Sequence, residues 1–179
     1  MNSPFTDTEA SLVIGVEQIQ ARVQELGQQI TRDYADRSLV VLGALKGAFL
    51  FTADLCRAIP LNLEIDFIRV ASYGSSASSS GKIQLKKTPD IDLKGKDVLL
   101  VEDIVDTGRT LDWLTTYCTS QGARSVKTCA LIDKAERRTI AVHLDYPGFT
   151  VKEGFLVGYG LDYAEKYRNL SAVYSLHLV

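Results

Sequence analysis

The sequence predicts an α/β protein with a mainly parallel, twisted sheet flanked by helices. Strand-length apolar runs at 38–45, 63–70, 97–103 and 126–132 alternate with stretches of helical periodicity. The runs at 38–45 and 97–103 are continuous rather than alternating, the pattern of strands covered on both faces. No internal repeat or linker divides the 179 residues, so a single domain over 1–179 is expected.

Taken in order, residues 1–11 read as a frayed arm. Val16, Ile19, Val23, Leu26, Ile30 and Tyr34 recur at helical spacing with Gln, Arg and Glu between them, which predicts an amphipathic helix. Ser38–Leu45 follows as a buried strand, and Gly47–Ile59 as a helix stopped by Pro60. Leu63, Ile65, Phe67 and Val70 mark a strand that runs into Ser72 and Tyr73. The small, polar stretch Gly74–Gly81 reads either as an unstructured connection or as a mobile lid over a site, at about 73–81. Asp97–Asp103 is a strand, Thr110–Gln121 a helix, and Val126–Ile132 a strand. Phe155–Val157 and Ala172–Leu176 are further strand candidates.

Composition excludes several classes. A formal net charge of -2 argues against a basic field that recruits nucleic acid, so no nucleic-acid partner is expected. Cys56, Cys118 and Cys129 are odd in number and form no C-x-x-C pair, so reduced, mostly buried thiols are expected rather than disulfides or zinc. His143 and His177 stand at no familiar ligand spacing from them. The N-terminus lacks a leader pattern, and no apolar run reaches the ~20 residues of a membrane span. A cytosolic location and no membrane partner are expected.

The chemistry concentrates in Val101–Leu111, VEDIVDTGRTL. An apolar strand ends in Glu102 and Asp103, Asp106 follows, and Thr107-Gly108-Arg109-Thr110 opens a helix. Ligands of parallel α/β sheets bind beyond the carboxyl ends of strands. A helix start offers free N–H groups and a positive dipole end to a phosphate. Gly108 permits close backbone approach, and Thr107 and Thr110 add hydroxyls. Carboxylates accept from ribose hydroxyls while amides hold the anion, so the segment suits a ribose 5-phosphate. It is neither a Walker A loop nor G-x-G-x-x-G.

This run resembles the phosphoribosyl-pyrophosphate motif of the type I phosphoribosyltransferases. Four more segments resemble the hypoxanthine–guanine branch of that family: Leu45–Phe49, Ser72–Gly74 with the serines after it, Leu131–Lys134 with Arg137 and Arg138, and Val157–Leu170. The resemblance implies that family's fold, with a small hood formed by N- and C-terminal segments and a base-binding part at about 135–179. It implies purine salvage: transfer of the 5-phosphoribosyl group from phosphoribosyl pyrophosphate to N9 of hypoxanthine or guanine. It also implies Mg²⁺ as cofactor and a homodimer or homotetramer.

Roles follow from the resemblance by position. Asp106 is the implied general acid/base at N7 of the base. Glu102, Asp103, Thr107, Gly108, Arg109 and Thr110 hold the phosphoribosyl group. Lys46 and Gly47 meet pyrophosphate mainly through backbone N–H groups and Arg168 through its guanidinium, with a non-proline cis peptide next to Lys46. Lys134 donates to the exocyclic oxygen at C6 of the purine, which adenine's amino group cannot accept. Phe155 stacks on the ring, and Leu156 offers backbone groups to its edge. Asp162, with Glu102 and Asp103, holds the metal. Ser72 and Tyr73 begin the lid.

Ala135, Gly154 and Ser171 depart from residues frequent in the branch. The rival readings are a transferase favouring xanthine, adenine or orotate, an RNA-binding pyrimidine attenuation regulator of the same fold, and a catalytically silent scaffold.

Overall fold

The computed structural model describes residues 5, 9–72 and 83–177. Twelve elements follow in chain order: β1 (Glu9–Ile14), α1 (Val16–Asp33), β2 (Leu39–Leu45), α2 (Phe49–Arg57), β3 (Glu64–Ser72), β4 (Ile83–Lys87), β5 (Asp97–Val105), α3 (Arg109–Ser120), β6 (Ser125–Asp133), β7 (Tyr146–Thr150), β8 (Phe155–Val157) and β9 (Val173–His177).

A six-stranded sheet has the order β4-β3-β2-β5-β6-β7. Its strands run parallel except β4, which pairs antiparallel with β3 at one edge. Successive residues of β2 and β5 feed opposite faces. Leu39, Val41, Leu99 and Val101 pack with Ile19, Val23, Leu26 and Ile30 of α1 and Phe51 and Leu55 of α2. Val40, Leu42, Val98 and Leu100 pack with Leu111, Leu114 and Cys118 of α3. This two-sided burial explains why the central strands are apolar throughout. Cys56, Cys118 and Cys129 are free thiols, the last two buried. Among the described residues no helix is long and apolar enough to cross a membrane.

The second sheet has the order β1-β9-β8 and is antiparallel throughout. It is the hood, built from both ends of the chain. The expected frayed arm is therefore wrong for residues 9–11, which lie in β1 with Glu9 opposite His177 and Ser11 opposite Ser175. Their mixed polarity hides a strand whose partner lies at the far end of the sequence. The helix expected at 47–59 is shorter, Phe49–Arg57, because Lys46–Ala48 form the turn that leaves β2.

Candidate active site

β2 and β5 are neighbours, but their helices leave toward opposite faces of the sheet. Such a divergence opens a crevice at the carboxyl ends of the two strands. The crevice is bounded on one side by the turn after β2. There the Leu45–Lys46 peptide is cis, as the resemblance implied. On the other side, β5 ends in Glu102–Val105 and passes through Asp106, Thr107 and Gly108 into α3.

Gly108 adopts φ 86°, a left-handed conformation that favours glycine. The N-cap of α3, Gly108, has no side chain to cap the helix, and the Arg109 amide makes only a long 3.4 Å hydrogen bond to Thr107 Oγ1. Glu102, Val105, Asp106, Thr107, Gly108 and Thr110 line a cavity of about 100 Å³. That is room for a tetrahedral anion rather than one water, whose share of liquid volume is about 30 Å³.

The loop is held by the segment between β6 and β7. Arg138 donates through Nε to the Asp106 carbonyl at 2.8 Å and through Nη2 to the Val105 carbonyl at 3.0 Å, and pairs with Asp133. The amides of Thr139 and Ile140 both donate to the Thr107 carbonyl. A Cβ on Gly108 would lie 2.5 Å from the Ile140 carbonyl oxygen, so this packing also demands glycine. Sequence reasoning quoted Arg138 beside Lys134 but gave it no role. Its signal was only an Arg doublet, and what it anchors is backbone more than thirty residues earlier.

The acids occupy contrasting surroundings. Glu102 is 6% exposed, and its Oε1 makes no hydrogen bond. Burial, then the neighbouring Asp103 charge, pushes its carboxyl well above the ordinary range. Burial also pushes Asp103 up to about 6, against the pull of backbone N–H groups and the Arg168 charge. The Asp103 carboxylate lies against Gly47, where an added Cβ would fall 1.6 Å from its Oδ2. Asp106 Oδ1 is buried without a partner, and Oδ2 stands 3.7 Å from Arg137.

Lys134 leaves the end of β6 with its side chain 11% exposed, and donates to the Gly154 carbonyl at 2.9 Å. Next to Gly154, Phe155 is 42% exposed and meets Tyr163 edge-on at 5.4 Å. Leu156 is buried. The segment 158–170 then coils tightly over the turn after β2. Tyr159, Ala164, Glu165 and Tyr167 all have positive φ, which is uncommon outside glycine and concentrates at functional loops. Gly160, at φ 101°, sits so close that a Cβ would meet the Gly47 carbonyl oxygen at 1.9 Å. Arg168 donates to the Gly160 carbonyl at 2.7 Å and pairs with Asp162 at 2.8 Å. Lys46 pairs with Glu165 at 2.8 Å.

The fold thus gathers Lys46, Gly47, Glu102, Asp103, Asp106–Thr110, Lys134, Phe155, Leu156, Asp162 and Arg168 around one crevice. Among the described residues no three or more His, Cys, Asp or Glu side chains gather closely enough to hold a metal ion by themselves. Asp162 pairs with Arg168. Of the lid, Ser72 ends β3, while Tyr73 and the residues to Gly81 lie outside the described residues. The larger cavity, about 700 Å³ between α1, α2 and residues 159–171, lies apart from the three acids and Lys134. Glu102 and Asp106 line the smaller one.

A doubly wound sheet with an acid pair and an amide-lined anion loop at its switch point is the architecture of a sugar-phosphate- or nucleotide-binding α/β protein. Comparison narrows the class. Residues 15–164 match the family model described as phosphoribosyl transferase domain, and the chain belongs to that family. The hypoxanthine-guanine phosphoribosyltransferase of Mycobacterium tuberculosis is 47% identical over 93% of this chain and 85% of its own length. That of Bacillus subtilis is 45% identical over 89% and 88%. A crystal structure of a Staphylococcus aureus hypoxanthine phosphoribosyltransferase matches with a TM-score of 0.92 at 40% identity, covering 98% of this chain and 96% of that one.

Proposed function

We propose that this chain transfers the 5-phosphoribosyl group from phosphoribosyl pyrophosphate to N9 of hypoxanthine or guanine, releasing pyrophosphate. The observation that carries this reading is a nearly buried ammonium, Lys134, whose hydrogen bond to the Gly154 carbonyl sets it one residue from the exposed ring of Phe155. Together they suit a flat base bearing an acceptor oxygen. The names of the relatives above support the same substrates.

In the reaction, the C1–O bond to pyrophosphate breaks and a C1–N9 bond forms, with the base proton passing to a protein acceptor. The anion loop and the amides of Arg109 and Thr110 hold the 5-phosphate. Glu102 and Asp103 accept from the 2- and 3-hydroxyls and place negative charge near the ribosyl cation. Asp106 hydrogen-bonds N7 and handles the proton. Lys46, Gly47 and Arg168 take the pyrophosphate. Leu156 presents backbone groups to the base edge, and Ser72 and Tyr73 begin a lid that keeps water from the cation.

The residues fit Mg²⁺ that keeps water and substrate oxygens as most of its ligands: Glu102 has a free buried oxygen, and Asp103 and Asp162 feel each other's charge. When bound, it would neutralise charge on the leaving pyrophosphate. We further propose one domain over 1–179, a homodimer or homotetramer, and a cytoplasmic setting.

The test is an assay with phosphoribosyl pyrophosphate, Mg²⁺ and each of hypoxanthine, guanine, xanthine and adenine, reading nucleotide and pyrophosphate together. Nucleotide from the first two is expected. Turnover with adenine alone would sink the 6-oxopurine reading. No turnover, with tight binding of pyrimidine-operon leader RNA, would replace the enzyme with a regulator.

A further inference from the structure

The two cations proposed to receive pyrophosphate already share an acceptor. Glu165 Oε2 lies 2.8 Å from Lys46 Nζ and 3.3 Å from an Arg168 guanidinium nitrogen. Lys46 comes from the turn after β2, whereas Glu165 and Arg168 come from the 158–170 coil. A single carboxylate oxygen therefore bridges the two segments where a phosphate oxygen would bridge them. The coil sets this position. Glu165 has φ 65°, and its amide donates to Asp162 Oδ2 at 2.9 Å, so backbone geometry aims the side chain at Lys46. The carboxylate itself is 63% exposed and can swing into solvent. Arg168 Nε is buried and makes no hydrogen bond, a donor still without an acceptor. In charge, Lys46 and Arg168 are balanced by Asp162 and Glu165.

We infer that Glu165 is a stand-in for pyrophosphate: an internal carboxylate that occupies the shared position on Lys46 and Arg168 and must be displaced when the ligand binds. The inference rests on the proposed pyrophosphate site and adds the Lys46 ammonium to the backbone groups and guanidinium that form it. The stand-in has two effects. It keeps Lys46 and Arg168 placed in the free protein, and it competes with the incoming anion, which weakens retention of the product. It also penalises anions that reach only one of the two cations, such as inorganic phosphate.

The role differs from a structural one in the sign of its effect. Losing a structural ion pair loosens the site and weakens binding. Losing a competitor leaves a surplus positive charge and tightens it. An exposed pair is weak, so a tightening of roughly two- to fivefold is expected. The experiment is calorimetric titration of pyrophosphate, with Mg²⁺ present, into the full chain and into Glu165→Gln, Glu165→Ala, Lys46→Ala and Arg168→Ala. Tighter binding in both Glu165 variants, with slower pyrophosphate dissociation by stopped flow, supports the stand-in. Unchanged or weaker binding in both overturns it. Should the Lys46 and Arg168 variants bind as the parent does, the pyrophosphate assignment fails, and the stand-in fails with it. Weakened binding in those two without tightening in the Glu165 variants removes the stand-in alone.

Discussion

At the scale of single residues, Asp106 and Lys134 make the sharpest predictions. Asp106 has a buried oxygen with no partner, and its main chain is fixed by Arg138. Asp106→Asn keeps the shape and loses the proton acceptor. Turnover with hypoxanthine should fall by about 10²–10⁴-fold with little change in KM. Unchanged turnover would assign the proton elsewhere. Lys134→Ala should cost about 10–100-fold in kcat/KM for hypoxanthine and guanine, the range for a hydrogen bond to a charged group, and narrow the margin over adenine. Equal retention of all three substrates would remove Lys134 from base recognition. These residues were legible in the sequence because motif context named them. Arg138 was not, and neither was Glu165, since their partners are backbone carbonyls and a lysine far away in the chain.

At the scale of elements, the contact between the 158–170 coil and the turn after β2 is tight enough to test with one methyl group. Gly160→Ala forces a φ of 101° on a side chain and drives its Cβ into the Gly47 carbonyl. The coil should lift from the turn, raising KM for phosphoribosyl pyrophosphate more than for the base. A variant with both constants unchanged would show that this packing does not shape the pyrophosphate site. The central strands and all three helices were legible because their period and length were unambiguous. β4 and β7 were not. β7 contains Pro147 and Gly148, residues that argue against a central strand, and it lies at the sheet edge where proline is tolerated. Arg22 of α1 covers that edge by donating to the Pro147 and Gly148 carbonyls. β1 was not legible because its partner β9 lies about 160 positions away in the chain.

For the whole molecule, the buried acids set opposing pH slopes. The Arg124 guanidinium beside Asp97 holds its carboxyl below the ordinary value of 3.8. That stability is present above about pH 4 and fades as pH falls. Asp103, raised to about 6 chiefly by burial, works in reverse. Its folded form holds a proton that the unfolded chain has already lost, so stability declines as pH rises from about 4 through about 6. Glu102, displaced in the same direction, adds to the decline. The ligand-free protein should therefore melt highest near about pH 4 and lose stability toward pH 6, and Asp103→Asn should flatten that decline. A melting temperature that climbs steadily from pH 4 to 8 would contradict the acid-pair account. Ile14, Leu156, Tyr159, Leu161 and Val173 of the hood share one apolar cluster with α1, α2 and the central strands. One cooperative unfolding transition is expected in calorimetry, and two resolved transitions would make the hood a separate unit.

The pairing of β1 with β9 also has a consequence during synthesis. The six-stranded sheet is complete once residue 150 has emerged, and its anion loop with it. β1 has no partner until Val173–His177 leaves the ribosome, and β8 finds its neighbour only then. Loop-closure entropy across the whole chain must be met before the hood forms. The nascent protein thus acquires the proposed sugar-phosphate cleft first and the proposed base platform last, and a ribosome stalled short of residue 173 would carry a chain without its hood.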